Sequence, residues 1–260
     1  MSIQYRPERL DMIPLAKISE HVPSNRSATV PSGFPRVLSL LVQLFAMLLP
    51  HPAKRFLLRS ALGWSIGKDT KIGCSIILCA QVRIGANCRI GHFNLFRDLK
   101  TLEIGNETKI FNLNHFMASK HRDWPDGFLI GNNSQITSRH FFDCSGGVRI
   151  GNRCLIGGRD TQFWTHFFIS HDGVSRIEWR ELTIADRCYV CARATLVYCR
   201  IPSDCVVGAG AVVTKDFSKE GTGLLLAGNP ATIKKRYALP PVATRYDVPD
   251  LNEYDGAHLS

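Results

Sequence analysis

The sequence predicts an all-β solenoid of short strands, with an apolar helix ahead of it and an extension behind. Three observations lead there. First, apolar residues recur at every sixth position. They run Ile66, Ile72, Leu78, Ile84, Ile90 and Phe96, then Ile104, Ile110 and Phe116, then Ile130, Ile136 and Phe142. The series resumes at Ile150 and Ile156, at Ile184, Val190 and Leu196, and at Ile201, Val207 and Val213. A helix wants apolar spacing near ~3.6 and a half-buried strand near ~2. A beat of about six suits one flat side of a coil, with a corner after it. Second, glycine often follows the beat residue, as in Ile72-Gly73, Ile90-Gly91, Ile130-Gly131 and Val207-Gly208. Third, Cys88, Cys154, Cys188, Cys199 and Cys205 each stand two residues before a beat residue. Positions i−2 and i share a face of a strand, so these cysteines point inward as small hydrophobes.

Along the chain, residues 1–35 hold Pro7, Pro14, Pro23, Pro31 and Pro35 and predict an irregular arm. Met1 to Glu20 carries both signs of charge and no apolar run, unlike a secretory signal. Together with an odd cysteine count, that points to the cytoplasm. Residues 36–62 form an apolar and basic helical segment. Val37–Leu49 reads VLSLLVQLFAMLL, is ended by Pro50, and is flanked by Arg36, Lys54, Arg55 and Arg59. It is shorter than the roughly 20 residues that span a bilayer. Two roles stay open for the segment 36–59. It caps the first coil, or it lies in a membrane interface, on the inner face, with its basic neighbours on anionic headgroups.

Residues 63–217 are the solenoid, with room for roughly seven or eight coils of three hexads each. The beat breaks near Arg97–Glu103, near Ser119–Leu129, and for longest at Phe167–Thr183. Loops that interrupt a repeat are usual places for function. Residues 218–260 make a C-terminal cap and tail, in which 224–236 (LLLAGNPATIKKR) leave the beat. The net charge of +10 and pI near 9.3 suit an anionic partner. Nucleic acid is not expected, since no recognition-helix, zinc-finger or RNA-binding pattern is present. Cys188-x-x-Cys191 has half of a zinc spacing. Alternation puts its two side chains on opposite faces and no second pair follows, so no metal is expected.

The beat is followed by Val207-Gly-Ala-Gly-Ala-Val-Val-Thr-Lys-Asp216 and then by Ala227-Gly-Asn-Pro-Ala231. In that order they resemble the hexapeptide-repeat acyltransferases, over residues 60–236. The resemblance implies a left-handed parallel β-helix, an exception to the right-handed crossover rule. It also implies a homotrimer, with acetyl-CoA or another acyl-CoA in a groove between neighbouring subunits. Residues 136–148 (ITSRHFFDCSGGV) and 161–166 (TQFWTH) resemble a branch associated with O-acetylation of surface polysaccharides.

Acyl transfer to an alcohol needs a base near the acceptor hydroxyl, and imidazole titrates close to neutral pH. His166 stands at the end of a regular coil, where the longest break departs, and matches the family's catalytic histidine in its Trp-Thr-His context. His140, Asp143 and His171 are lesser candidates, expected to pack or to be solvated. Trp179, Arg176 and Arg180 in the long break have the flat face and paired donors that suit a sugar. For the cofactor, the resemblance carries over Ala192 and Ala209 beside the pantetheine arm. It carries over Thr214 and Lys215 toward the nucleotide end, and Lys235 toward the phosphates. Thr232 departs from the pattern, where relatives often have Arg, and Lys234 and Arg236 are candidates to compensate. Strict register places Thr137 where some relatives have Asn.

The resulting expectation is an acetyl-CoA-dependent O-acetyltransferase acting on a sugar hydroxyl, in a surface polysaccharide or its lipid-linked precursor. The alternative within the class is transfer to an amino sugar, an antibiotic or another small acceptor. Outside it stand a γ-carbonic-anhydrase-like zinc hydratase, suggested by His166-x4-His171, and a non-catalytic scaffold.

Overall fold

Each turn of the chain gives one short strand to each of three parallel sheets. A computed structural model describes residues 36–119, 127–171 and 174–238, apart from the side chains of Ile169, His171, Val174, Ser175 and Arg176. The expected arm at 1–35, the tail beyond 238 and most of the break after Ser119 lie outside the described residues. Sheet A stacks seven strands from Ser65–Ile66 to Arg200–Ile201. Sheet B starts at Lys71–Ile72, and sheet C runs from Ile76–Leu78 to Val212–Val213. Ile66, Ile84, Ile104, Ile130, Ile150, Ile184 and Ile201 pair rung to rung up sheet A. The described residues therefore form a left-handed parallel β-helix of seven coils, preceded among them by two helices.

The beat residues fill the interior because each is the inward residue of its strand. On sheet C they include Phe96, Phe116 and Phe142, and Phe163, one residue off the beat, joins them; the rings stack nearly parallel with centroids 4.3, 4.5 and 4.3 Å apart. One position differs from the expectation. Ile77, not Leu78, points inward: it pairs with Phe96 and is 1 % exposed, while Leu78 sits half-buried on the outer face. In the run Ile76-Ile77-Leu78 every residue is apolar, so the pattern has no polar residue to mark the outer side.

The cysteines do more than fill space. Those before the strands of sheet B share a corner column with Thr70, Thr108 and Ser134. The three hydroxyls donate to the carbonyls of Gly85, Gly131 and Gly151 at 2.6, 2.7 and 2.9 Å. The thiols of Cys88, Cys154 and Cys188 donate to Gly105, Ala185 and Pro202 at 2.9, 3.0 and 3.1 Å. They act as hydroxyl equivalents that satisfy buried corner carbonyls.

Both ends of the solenoid are covered. An open end exposes unpaired strand N–H and C=O groups. Helices α1 (Arg36–Ala46) and α2 (His51–Leu62) answer this at the N-terminal end. The Gln43 amide accepts from Ile77 N–H at 2.8 Å and donates to Ile77 C=O at 3.0 Å, replacing a missing strand. Buried Lys54 donates to Ile72 C=O at 3.1 Å. At the other end Leu224–Gly228 pairs parallel with Val206–Val207, so the segment that leaves the beat still extends sheet B. Ala231–Arg236 folds back on it antiparallel.

The longest break is an antiparallel hairpin, His166–His171 with Val174–Trp179. It leaves the solenoid directly after sheet C, at the corner toward sheet A.

Candidate functional site

His166 is held by a residue of the preceding coil. Its Nδ1 lies 2.7 Å from Oδ2 of Asp143, one rung below, at the end of Phe141–Asp143. Asp143 is 2 % exposed and its carboxylate is an acceptor for a whole corner. Oδ2 also accepts from the Thr165 N–H at 2.8 Å and the His166 N–H at 3.0 Å. Oδ1 accepts from the Ser145 hydroxyl at 2.6 Å and the Ser145 N–H at 3.2 Å. Burial by itself pushes the Asp143 carboxyl up. The Ser145 hydroxyl, the Thr165 N–H and the His166 ring outweigh it and hold the carboxyl below its ordinary value.

This corner closes because Gly146 has no side chain. A Cβ there would stand 2.6 Å from the Arg180 carbonyl and 2.8 Å from that of Thr165. The hairpin root therefore packs directly on the turn after Asp143. The Thr165 hydroxyl locks the same turn by accepting from the Gly146 N–H at 2.8 Å.

The chemical consequence is a defined tautomer. A carboxylate against Nδ1 keeps the proton on that nitrogen and places the ring lone pair on Nε2. The His166 side chain is 26 % exposed, so the ring edge reaches the surface. Trp179 is its register partner at the hairpin root, which sets a half-exposed indole beside the imidazole. Phe167 packs on Tyr198 at 4.4 Å, and the Arg180 guanidinium lies 5.9 Å from the Phe167 ring centre. Asp143, expected to pack or to be solvated, is thus the partner of His166. The signal for it is one coil away: a carboxylate next to inward Phe142, before Ser145-Gly146-Gly147.

His140 does not join this site. It sits in an inward ladder where sheet C begins, the opposite edge from His166. Its N–H donates to Asn114 Oδ1 at 2.9 Å, its Nδ1 accepts from the Thr161 N–H at 3.2 Å, and its Nε2 meets the Thr137 hydroxyl at 2.9 Å. Burial lowers its pKa to about 4, so it is a neutral structural residue at physiological pH. Thr137, at the position expected for Asn, is spent on this ladder and on the Gly158 carbonyl at 2.6 Å. The side chain of His171 lies outside the described residues. Among the described residues no group of three His, Cys, Asp or Glu side chains is placed to hold a metal. Cys188 is buried and Cys191 half-buried at the next corner.

The positions expected to touch the cofactor separate into three places. Ala192 and Ala209 stack at the corner between sheets B and C and line an open depression with Gly158, Arg159, Arg193 and Gly210. A Cβ at Gly158 would come within 2.4 Å of the Ala192 methyl, so this corner is built from small residues. Thr214 and Lys215 are exposed after Val212–Val213, on the exit edge of sheet C that also carries His166. Lys235 is exposed on the terminal hairpin, its Nζ 5.0 Å from the Tyr237 ring centre. Within one chain the width of sheet C, three residues or about 10 Å, separates the small-residue corner from His166. Arg159 and Arg193, absent from the sequence expectation, add two exposed cations to that corner. Their only signal was position, next to the small residues.

No protein-family model and no curated protein matches the chain. Solved structures do. AntD, an N-acyltransferase from Bacillus cereus in complex with dTDP and coenzyme A, is 14 % identical, with TM-score 0.50, over 70 % of this chain and 88 % of that one. A second AntD structure, holding dTDP-4-amino-4,6-dideoxyglucose and coenzyme A, is 13 % identical, with TM-score 0.50, over 69 % of this chain and 87 % of that one. The polysialic acid O-acetyltransferase OatWY is 20 % identical, with TM-score 0.40, over 73 % of this chain and 98 % of that one. At such identities the likeness to AntD shows the fold alone.

Proposed function

We propose that this protein is an acetyl-CoA-dependent O-acetyltransferase acting on a sugar hydroxyl, with His166 as general base and Asp143 orienting it. The observation that carries the reading is the 2.7 Å contact between His166 Nδ1 and buried Asp143. In the reaction the acceptor hydroxyl attacks the thioester carbonyl carbon while Nε2 takes its proton. The C–O bond forms, the C–S bond breaks, and the imidazolium returns the proton to the departing thiolate. AntD, which shares the fold, is crystallised with coenzyme A and an amino-sugar nucleotide, which supports an acyl-CoA donor and a sugar acceptor. Trp179 beside His166 offers a flat apolar face for a sugar ring. Acyl transfer to an amino sugar is the second reading, since the same base and donor groove serve an amine.

The site is completed between copies of the chain. The outer face of sheet C is mostly apolar, with Leu78, Leu95, Met117, Phe141, Val197 and Val212 all half-buried and Arg97, His115 and Gln162 among its polar members. The outer face of sheet A instead carries charges such as Arg83, Glu103, Arg149 and Arg200. Packing sheet C faces around a threefold axis brings the small-residue corner of one copy toward His166 of the next. Pantetheine then runs past Ala192 and Ala209, while Arg159, Arg193 and Lys215 are placed to meet phosphates.

Steady-state transfer from acetyl-CoA to a panel of sugars tests the donor groove. In Ala192→Trp an indole fills the corner. KM for acetyl-CoA is expected to rise about tenfold or more, with the fold kept because residue 192 faces outward. An unchanged KM removes this corner from the donor site.

A further inference from the structure

We propose that helices α1 and α2 dock the protein on an anionic membrane surface. Helix α1 is built opposite to an ordinary surface helix, whereas α2 buries Leu58 and Leu62 in the usual way. Helix α1 buries Gln43 and Ala46 against the first coil and turns its apolar face outward. Val37, Leu41, Leu44, Phe45 and Leu48 follow helical spacing on that face, with Phe45 59 % and Leu48 81 % exposed. Phe56 of α2 adds to it at 74 % exposure. The inversion has a local cause: the open strand edge needs an amide donor and acceptor, and only Gln43 in this helix provides both. The leucines are then left in contact with water, at a cost that scales with their apolar area.

Charge indicates what covers them. Between Arg36 and Lys68 the chain has five basic residues, Arg36, Lys54, Arg55, Arg59 and Lys68, and no Asp or Glu. Arg36 is tied to Asp98 and Lys54 to the Ile72 carbonyl. Around the edge, Lys71 and Arg89 stand in register on the outer face of sheet B, and neither makes an ion pair among the described residues. Like charges on adjacent rungs repel unless an anion lies over them. His51, at the start of α2, has Lys54, Lys71, Arg89 and His92 as its charged surroundings and no acid among them; burial and these cations lower its pKa.

An apolar patch rimmed mostly by cations, with exposed Asp69 and the Asp98 bound by Arg36 as the acids beside it, suits anionic lipid headgroups. No described helix is long and apolar enough to cross a membrane. Helix α1, with 11 residues, is about 16 Å long and fits in the plane of the interface.

Co-sedimentation of the full chain with vesicles tests this. The chain is expected to pellet with vesicles of mixed phosphatidylglycerol and phosphatidylcholine. Binding should weaken about tenfold or more on pure phosphatidylcholine, and also when salt is raised from about 0.1 M to about 0.5 M. The double variant Leu41→Ser, Phe45→Ser should lose binding about tenfold or more while keeping its circular dichroism and melting temperature, because both side chains are exposed. Arg55→Glu with Arg59→Glu should weaken binding to the anionic vesicles. The proposal is overturned if the wild type does not pellet with anionic vesicles, or if the Leu41, Phe45 variant binds them equally. It is also overturned if that variant changes the oligomeric mass without vesicles, which would make a second copy the occupant.

Discussion

Replacing His166 with alanine should lower acetyl transfer by about 10²–10⁴-fold, the usual contribution of a positioned general base. The loss should fall on kcat, and the affinity for acetyl-CoA should stay within about twofold, because His166 acts on the acceptor proton while the donor is held by the small-residue corner with Ala192 and Ala209. Stability should change little, since the side chain is 26 % exposed and Asp143 keeps its Thr165 and Ser145 donors. The competing roles predict something else. A histidine that only fills a corner leaves kcat unchanged. Paired measurements of kcat and of coenzyme A affinity by calorimetry separate these outcomes.

Asp143→Asn should cost about 10²-fold in kcat, near the lower end of a positioned base's effect, although residue 143 is not expected to touch either substrate. The amide removes the charge that fixes the Nδ1 proton, and one of its ends must present N–H groups to donors. If the amide oxygen keeps the Thr165 and His166 N–H groups, the nitrogen faces the Ser145 hydroxyl and N–H instead. A clash between two donors costs about 1–3 kcal/mol, read as a lower melting temperature. Acid stability supplies an independent readout. The folded-state pKa of Asp143 is depressed, so its contribution is present above the ordinary carboxylate pKa and is lost as pH falls through the lowered value. His140, whose pKa burial lowers to about 4, removes stability earlier, between its ordinary value and that one, in wild type and variant alike. Below about pH 4 the wild type should therefore lose stability more steeply than Asp143→Asn, measured by denaturant titration across pH. Equal slopes would contradict the assigned role of the carboxylate.

Much of the fold was legible in the chain because a β-helix writes its geometry into a fixed period. Each Ile or Phe of the beat lands on the same column as its neighbour one coil away, so a local pattern specifies a long-range pairing. The pattern failed where its contrast vanished, at Ile76-Ile77-Leu78, whose register is set by pairing with Leu95-Phe96-Arg97. Helix α1 shows a different limit. Its apolar periodicity was plain, but periodicity ordinarily assigns the leucines to the core. Here the partner surface is a row of unpaired backbone groups, and Gln43 takes the inward place. The site was half legible. His166 announces itself at the end of a coil before a long insertion. Asp143 does not, since its partner is 23 residues ahead and depends on how many residues each coil spends at its corners.

The central claim is that His166 of one copy serves the small-residue corner of another. Mixing two impaired variants, assayed at acetyl-CoA well below the raised KM of Ala192→Trp, tests it directly. His166→Ala keeps an intact donor corner, and Ala192→Trp keeps an intact His166. Unfolding the two together and refolding them as mixed trimers should restore about one quarter of wild-type turnover, because one interface in four then joins two intact halves. If the mixed trimers are no more active than the separate variants at that donor concentration, each site is contained within a single chain and the claim fails.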